Sequence, residues 1–142
     1  MITVGAHPAT VHELVELLAS CWTDQDAERA GALWAESNTE TSYLGEELAE
    51  PLFGTISIAR HLARTFRRLE SASVEVSSLV VSHISADVAI AIYVCTWRLH
   101  SRGMRCADAS HSRVAAVCRR QQEGWRLVHY MEDYLYLPEA RP

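Results

Sequence analysis

Two titratable residues stand at odd-numbered positions of the last predicted strand of the chain, residues 124–133, which reads GWRLVHYMED. Side chains alternate between the two faces of a strand, so His129 and Asp133 are predicted to share one face with apolar neighbours. The predicted members of that face are Trp125, Leu127, His129, Met131 and Asp133. A purely structural strand rarely buries two ionisable groups, so these two residues are the first candidates for chemistry.

General acid–base catalysis is the chemistry that these residue types favour. An imidazole titrates near neutral pH, so His129 in an apolar cavity can move a proton in either direction. Its alternative role is that of a core histidine with a satisfied hydrogen bond. Asp133 is the natural second acid or base, although four residues of strand separate the two Cα atoms by about 13 Å and exclude a direct pair. Tyr43 and Tyr93 are predicted to donate hydrogen bonds to a developing oxyanion.

Composition excludes several other chemistries. All 13 basic residues are arginine, so no lysine side chain is available for a Schiff base or for anchoring pyridoxal phosphate. The four cysteines have no close paired spacing and are expected to be free thiols, which are Cys21, Cys95, Cys106 and Cys118. The seven histidines form neither an HExxH motif nor a compact cluster. We therefore expect neither a metal site nor an organic cofactor.

Charge and hydropathy limit the partners. The formal net charge of −5 argues against a nucleic-acid partner, because such binding depends on neutralising phosphates. No apolar run approaches the roughly 20 residues that cross a bilayer, so no membrane partner is expected. Residues 1–8 lack the basic segment and apolar core of a secretory leader. The expected location is cytoplasmic.

The N-terminal half is predicted to be helical. Thr10 and Glu13 form a capping box for a first helix that runs to about residue 22, and a second helix around Ala30, Leu33 and Trp34 follows the turn at 24–26. A short strand is expected at 39–44 and a pocket-covering loop at 45–54. A third helix at 55–69 carries four arginines on its outer side, which are Arg60, Arg64, Arg67 and Arg68. This arginine face is interpreted as solvated, with contact to an anion or a partner protein as the alternative.

The second half is predicted to be an antiparallel sheet. Strands are expected at 74–83, 88–101 and 105–120, and the turn at 121–124 joins the last of these to the final strand. The run VAIAIYVCTW at 88–97 is apolar in both alternating sets, which predicts cover on both faces of that strand. Since a small antiparallel sheet normally leaves one face wet, a second subunit is expected to cover it. A homodimer is therefore predicted.

The hairpin segments SRVAAVCRR and EGWRLVHY, together with TDQDAERAGALWAES and FGTISIARHL in the helical half, resemble the SnoaL-like branch of the NTF2-like superfamily. The resemblance spans residues 10–134. It implies a single α+β domain over residues 1–142, a cystatin-like cone in which three N-terminal helices pack on a strongly curved antiparallel sheet. The hollow between helices and sheet would hold a small apolar molecule. The superfamily includes isomerases, dehydratases, polyketide cyclases, epoxide hydrolases and proteins that only bind or assemble, so the fold does not select a function.

Strand parity and the resemblance together select the residues expected around the hollow. The helices are expected to contribute Leu18, Trp22, Trp34 and His61, and the sheet to contribute Tyr43, Tyr93, Cys95, Trp97, His129, Met131 and Asp133. Ordinary core packing is the alternative for Trp22, Trp34 and Met131, and exposure to solvent is the alternative for His61. Asp108 and His111 either reach the mouth of the hollow or stay outside it.

These residues predict an enzyme that uses no cofactor and transfers protons on a largely apolar cyclic substrate. The reaction would be an isomerisation, cyclisation, dehydration or hydrolysis, with His129 as the general acid or base. The resemblance does not extend to known catalytic sets. The positions nearest to the ketosteroid isomerase residues hold Ser42 or Tyr43, Leu18 and Ala116, and none of these preserves that chemistry. Trp22 and Thr23 stand where scytalone dehydratase has a Tyr-Asp pair. The alternative is a non-catalytic ligand-binding or assembly module of the same fold.

Overall fold

The computed structural model describes residues 7–37 and 40–135. Within them the order of elements is α1 (Val11–Thr23), α2 (Ala27–Ala32), β1 (Ser42–Leu44), β2 (Leu52–Phe53), α3 (Thr55–Arg67), β3 (Leu69–His83), β4 (Val88–Ser101), β5 (Asp108–Gln121) and β6 (Gly124–Tyr134). The stretch 1–6, over which no secretory leader was predicted, and the first residue of the predicted strand 39–44 lie outside the described residues.

Helix α1 forms where its cap and apolar spacing predict it. The Thr10 hydroxyl accepts a hydrogen bond from the backbone N–H of Glu13, and the Glu13 carboxylate accepts one from the N–H of Ala9. These bonds satisfy donors that the first turn of a helix leaves free. One face of the helix, which includes Leu14, Leu18 and Trp22, is buried.

Helix α2 is shorter than predicted because the chain after it pairs with β6. Leu127 donates its N–H to the carbonyl of Leu33 and accepts a bond from the N–H of Ala35, both at 2.8 Å. This extended pairing replaces the next helical turn and places Trp34 in an isolated parallel bridge with Leu127. Leu33 and Trp34 therefore follow the helix instead of belonging to it.

Helix α3 buries Ile58, Leu62 and Phe66 and leaves its predicted arginine face exposed. It ends at Arg67, two residues earlier than expected, because Leu69 already pairs with Ser101 and begins β3. In the described part of the chain, no helix combines the length and the apolar character required to cross a bilayer.

The six strands form one sheet in the order β2-β1-β6-β5-β4-β3. Strands β3 to β6 form an antiparallel meander. The sheet is mixed, which corrects the expectation of an all-antiparallel sheet, because β1 runs parallel to β6 with Ser42 opposite His129. The two-residue strand β2 lies within the predicted 45–54 loop and pairs with β1, which shortens that loop to residues 45–51.

The helices and one face of the sheet enclose the core. Every second residue of β4 points into it and is buried, namely Ala89, Ala91, Tyr93, Cys95 and Trp97. Trp22 of α1 meets Phe66 and Trp97 edge-on, with ring centroids 4.7 and 4.9 Å apart. Such aromatic pairs contribute about 0.5–1.5 kcal/mol each beyond the area they bury, so this cluster joins helix α1 firmly to the sheet.

A β-bulge in β6 reverses the facing of its second half. Val117 lies opposite His129, but the next residue, Cys118, lies opposite Leu127, so Val128 is an extra residue in β6. An extra residue exchanges inward and outward positions because side chains alternate with a period of two. Beyond the bulge Tyr130 and Glu132 are buried, whereas His129, Met131 and Asp133 are exposed. The prediction that these three share the inner face with Trp125 and Leu127 is therefore wrong.

The outer face of the sheet carries an exposed apolar row. Val80 lies opposite Ile92, Ile92 opposite Ala115, and Ala115 opposite Met131. Val80, Ile92 and Met131 expose 61%, 55% and 56% of their surface. The outer side of β4 is thus apolar and uncovered in a single chain, as the two-sided pattern of residues 88–97 indicates.

We propose that a second copy of the chain covers this outer row. Ile92→Arg is expected to convert a dimer into a monomer, because it would place a charge at the centre of a buried apolar contact. Light scattering at tens of micromolar protein measures the change. Ile84→Arg is the matched control, since Ile84 is equally exposed but lies in the β3–β4 turn. A wild-type protein that is already monomeric under these conditions would contradict the proposal.

Candidate active site

The bulge places a glutamate inside the protein. Glu132 is only 9% exposed, and its carboxylate accepts three hydrogen bonds. The Glu46 backbone N–H donates to Oε1 at 3.1 Å, and the hydroxyls of Tyr130 and Ser112 donate to Oε2 at 3.0 and 3.4 Å. The Ser112 hydroxyl itself accepts a 2.7 Å bond from the Trp97 indole N–H. Glu132 is therefore held in one orientation by groups from several parts of the fold.

Burial raises the pKa of Glu132 to about 7. The hydrogen bond from the Glu46 backbone lowers this pKa, the nearby Glu47 carboxylate raises it, and the Tyr130 hydroxyl lowers it again. Loss of hydration on burial is the largest contribution to this shift and outweighs the hydrogen bonds; no arginine of the described residues offsets it. A carboxyl with a pKa near neutrality can both accept and return a proton, as a general acid–base catalyst must.

A second polar cluster adjoins the first. The Tyr43 hydroxyl donates to Glu47 Oε2 at 2.8 Å, and His61 Nε2 lies 2.8 Å from the same oxygen. The rings of Tyr43 and Tyr130 stack with centroids 5.2 Å apart and an interplanar angle of 10°. Two tyrosine–glutamate pairs thus lie side by side, one with Glu132 and the other with Glu47.

The buried tyrosines remain neutral hydrogen-bond donors. Burial raises the pKa of Tyr43, Tyr93 and Tyr130 well above the usual value, and neighbouring carboxylates, including Glu132, raise it further. A neutral phenol can stabilise a developing negative charge on a ligand oxygen without itself losing the proton. Tyr93 lies on the wall of the hollow, as predicted.

The hollow between α1 and the sheet is almost filled by side chains. Its free volume is about 10 Å³, and its walls are formed by Val15, Leu18, Ala19, Trp22, Val74, Val76, Tyr93, Cys95, Trp97 and Tyr130. A space of this size holds about one water molecule. Ring-sized ligands therefore require a movement of the surrounding chain.

Most residues predicted to line the hollow are inside the fold. Leu18, Trp22, Tyr93, Cys95 and Trp97 form its walls. Trp34 instead packs against Tyr43, with ring centroids 6.3 Å apart, and its buried indole N–H has no hydrogen-bond partner among the described residues. His61 contacts Glu47 and the Tyr43 ring at the edge of the core.

Cys95 on the wall of the hollow does not supply a nucleophile to this site. Burial raises the pKa of Cys95 to about 12, so its thiol stays protonated at neutral pH. Among residues 7–37 and 40–135, no three His, Cys, Asp or Glu side chains come together in a way that could hold a metal ion.

The predicted catalytic pair lies on the outer face of the sheet. His129 Nδ1 is 2.7 Å from the Ser42 hydroxyl, and Asp133 forms an exposed ion pair with Arg113. Met131 belongs to the exposed outer row. Placing these three residues at the hollow was wrong because the bulge at Val128 reverses the parity that the prediction assumed.

Asp108 and His111, for which the sequence left two positions open, lie at the start of β5 and outside the hollow. Asp108 is exposed. His111 Nδ1 lies 3.2 Å from the Thr96 hydroxyl, and Thr96 belongs to the outer set of β4. Neither residue reaches Glu132.

Tyr130, Glu132, Ser112 and the pair Glu46–Glu47 were missed as site residues. The sequence contains one signal that Tyr130 and Glu132 face inward. Leu127 and Val128 are adjacent apolar residues, and Tyr130 continues the even-numbered set, so both parities of β6 are apolar around residue 128. A change of apolar parity within a strand is typical of a bulge.

Comparison with known proteins establishes the fold. No protein-family model matches the sequence, and comparison with curated proteins finds no match. A protein from Novosphingobium aromaticivorans, provisionally assigned as a scytalone dehydratase, aligns with a TM-score of 0.81 at 10% identity, over 93% of this chain and 86% of that chain. An NTF2-like protein with a cystatin-like fold from the same species aligns with a TM-score of 0.71 at 22% identity, over 88% and 79% of the two chains.

A third similar structure comes from Thiobacillus denitrificans and is provisionally assigned as a calcium/calmodulin-dependent protein kinase type II association domain. It aligns with a TM-score of 0.73 at 19% identity, over 92% of this chain and 99% of that chain. The chain therefore has the predicted NTF2-like, cystatin-like α+β fold, and the fold is shared by neighbours with unlike descriptions.

The raised pKa of Glu132 predicts a pH-dependent stability. The folded state binds the Glu132 proton more tightly than the unfolded state, so this contribution is complete below the ordinary glutamate pKa of 4.5 and is lost as pH rises through about 7. Relative to Glu132→Gln, the wild-type free energy of unfolding should fall by about 3 kcal/mol across this range. Urea denaturation at a series of pH values measures it.

Glu50→Gln is the control for this experiment, because Glu50 is exposed on the neighbouring loop. Its free energy of unfolding should follow the wild-type pH dependence. Parallel pH profiles for wild type and Glu132→Gln would show that Glu132 has an ordinary pKa.

Proposed function

We propose that the chain is a SnoaL-like enzyme of the NTF2-like superfamily that transfers protons, without a cofactor, on a small and largely apolar cyclic substrate. The observation that carries this proposal is Glu132, a buried carboxyl whose pKa of about 7 is shifted by no cationic group among the residues that the structure describes. Such an arrangement is costly to stability and is typical of acid–base sites. The general acid–base role thus moves from His129 and Asp133 to Glu132.

In the proposed reaction Glu132 removes a proton from carbon next to a ring carbonyl. The carbon–hydrogen bond breaks, its electron pair forms the enolate, and the proton moves to the carboxylate. Hydrogen bonds from Tyr130 and Ser112 keep the carboxylate oriented, while the neutral hydroxyls of Tyr43 and Tyr93 are the proposed donors to the enolate oxygen. Return of the proton to another atom gives an isomer. In a dehydration the enolate electron pair instead expels a hydroxyl group from the next carbon, and this group takes the proton from Glu132 and leaves as water.

The surroundings of Glu132 support an uncharged, ring-containing substrate. The walls of the hollow are aromatic and aliphatic, and Tyr130 connects them to the carboxyl. Glu46 and Glu47 add further negative charge nearby, which disfavours an anionic ligand. A structural neighbour described as a scytalone dehydratase, although only 10% identical, is consistent with this class of chemistry.

A second candidate function is a ligand-binding or assembly module without catalysis. The free volume of about 10 Å³ favours it, because the core holds no room for a ring in this conformation. The exposed apolar row of Val80, Ile92 and Met131 favours it as well. One structural neighbour is described as an association domain.

Hydrogen–deuterium exchange at carbon distinguishes the two candidates without knowledge of the product. In deuterated water, the wild-type protein should accelerate exchange of the hydrogens next to the carbonyl of α-tetralone. Proton NMR measures the exchange rate. Glu132→Gln should lower that acceleration by a factor on the order of 10² to 10⁴, the contribution of a positioned general base. The wild-type rate should rise with pH through about 7, as Glu132 ionises.

His129→Ala is the matched control because His129 lies on the outer face of the same strand. It should leave the exchange rate within about twofold of wild type, since it does not touch the proposed site. If Glu132→Gln exchanges as fast as wild type, Glu132 is not the base. Binding of ring ketones without any accelerated exchange would favour the non-catalytic module.

A further inference from the structure

The loop of residues 45–51, which we call the lid, covers the candidate site. It places three different groups against the site. The Glu46 N–H donates to Glu132 Oε1 at 3.1 Å, the Glu47 carboxylate accepts the Tyr43 hydroxyl bond at 2.8 Å, and the Leu48 side chain packs on the apolar core. The lid thus supplies one donor, one acceptor and one apolar group.

These groups match what the proposed reaction requires of a substrate. A substrate must bring a donor or an acidic hydrogen to Glu132, a carbonyl oxygen to Tyr43, and an apolar body to the core. While the lid is closed, the Glu46 N–H already donates to Glu132, and the Glu47 carboxylate already accepts from the Tyr43 hydroxyl. The Tyr43 hydroxyl has a single hydrogen, so it cannot donate to Glu47 and to a substrate oxygen at the same time. The Glu46 N–H likewise occupies Glu132 Oε1, the oxygen that accepts no other hydrogen bond among the described residues.

We propose that lid residues 46–48 occupy the substrate's place in the closed site, and that the substrate is an uncharged ring compound carrying both a carbonyl acceptor and a hydrogen-bond donor. This inference rests on the proposed function, because it takes the groups around Glu132 as the site. Opening the lid frees one Glu132 oxygen and the Tyr43 hydroxyl together. The Tyr43 ring stacks on Tyr130, which forms a wall of the hollow.

Gly45 makes the closed lid compatible with this packing. A side-chain carbon at position 45 would overlap the Glu47 carboxylate and the Tyr43 hydroxyl. Gly45 is buried, so the added methyl group has no free direction. Gly45→Ala should therefore displace Glu47 while it removes none of the titratable groups.

Two measurements that need no turnover test the inference. Amide hydrogen exchange of residues 45–51 should become about 10-fold faster in Glu47→Ala and in Gly45→Ala, because each variant removes a hydrogen bond that holds the lid. Glu50→Ala, an exposed change on the same loop, should leave the exchange rate at the wild-type value.

Calorimetric binding uses three probes with one ring system. These are α-tetralone bearing a phenolic hydroxyl, α-tetralone itself, and the tetralin phenol without the carbonyl. Release of the lid should tighten binding of the hydroxy-tetralone about 10-fold in Glu47→Ala, since less of the protein is held in the closed state. The two single-group probes should bind more weakly than the hydroxy-tetralone to every variant.

The outcomes separate cleanly. Faster lid exchange together with tighter hydroxy-tetralone binding supports the proposal. Unchanged lid exchange overturns it, and so does faster exchange with unchanged or weaker binding, because the lid would then not compete with the ligand. Absence of binding by all three probes also overturns it. If lid exchange is faster and hydroxy-tetralone binding is tighter, but the wild-type protein does not accelerate exchange at carbon, the lid inference stands and the catalytic proposal fails.

Discussion

The placement of one extra residue in β6 decides which chemistry lies inside this protein. Val128 has no separate partner in β5, so the strand exchanges its two faces at that point. Without the bulge, His129 and Asp133 would point into the hollow and Glu132 to the outside. The inner carboxyl, the stacked pair Tyr43–Tyr130 and the place of Met131 in the apolar outer row follow from this register.

An uncompensated buried carboxyl is the second constraint. The loss of hydrating water from the Glu132 carboxylate is offset by hydrogen bonds from Tyr130, Ser112 and the Glu46 backbone. No positive charge among the described residues contributes. Hydrogen bonds favour the ionised form but do not restore the hydration that a carboxylate has in water, and the glutamates of the lid add repulsion. The balance leaves this group poised between its two protonation states, at a cost in stability that a purely structural residue would not require.

The contacts of the lid with the site have a simple physical explanation. A polar site beside an apolar core has groups that need partners when no ligand is bound, and a neighbouring loop can supply them. Glu46 and Glu47 do so through bonds to Glu132 and Tyr43, and Leu48 covers adjacent apolar surface. The small free volume of the hollow has a separate cause, since its walls are side chains of α1, β3, β4 and β6.

Local pattern in the sequence determines much of the fold. The bounds of β4 at 88 and 101 follow from its apolar run, and helix α1 follows from its cap and its 3.6-residue spacing, because neighbouring residues alone set these features. The resemblance to NTF2-like proteins predicted the fold, and five of the eleven residues assigned to the hollow form its walls.

Tertiary structure decided the features that depend on contacts between distant segments. The early end of α2 results from pairing of Leu33 and Ala35 with Leu127. The parallel pairing of β1 with β6 likewise joins segments that are far apart in the sequence. The bulge at Val128 belongs to the same class, since an extra residue is defined only against a partner strand. The sequence by itself therefore identified a fold and a set of titratable residues, whereas only the register of β6 against β5 determined that Glu132 faces inward.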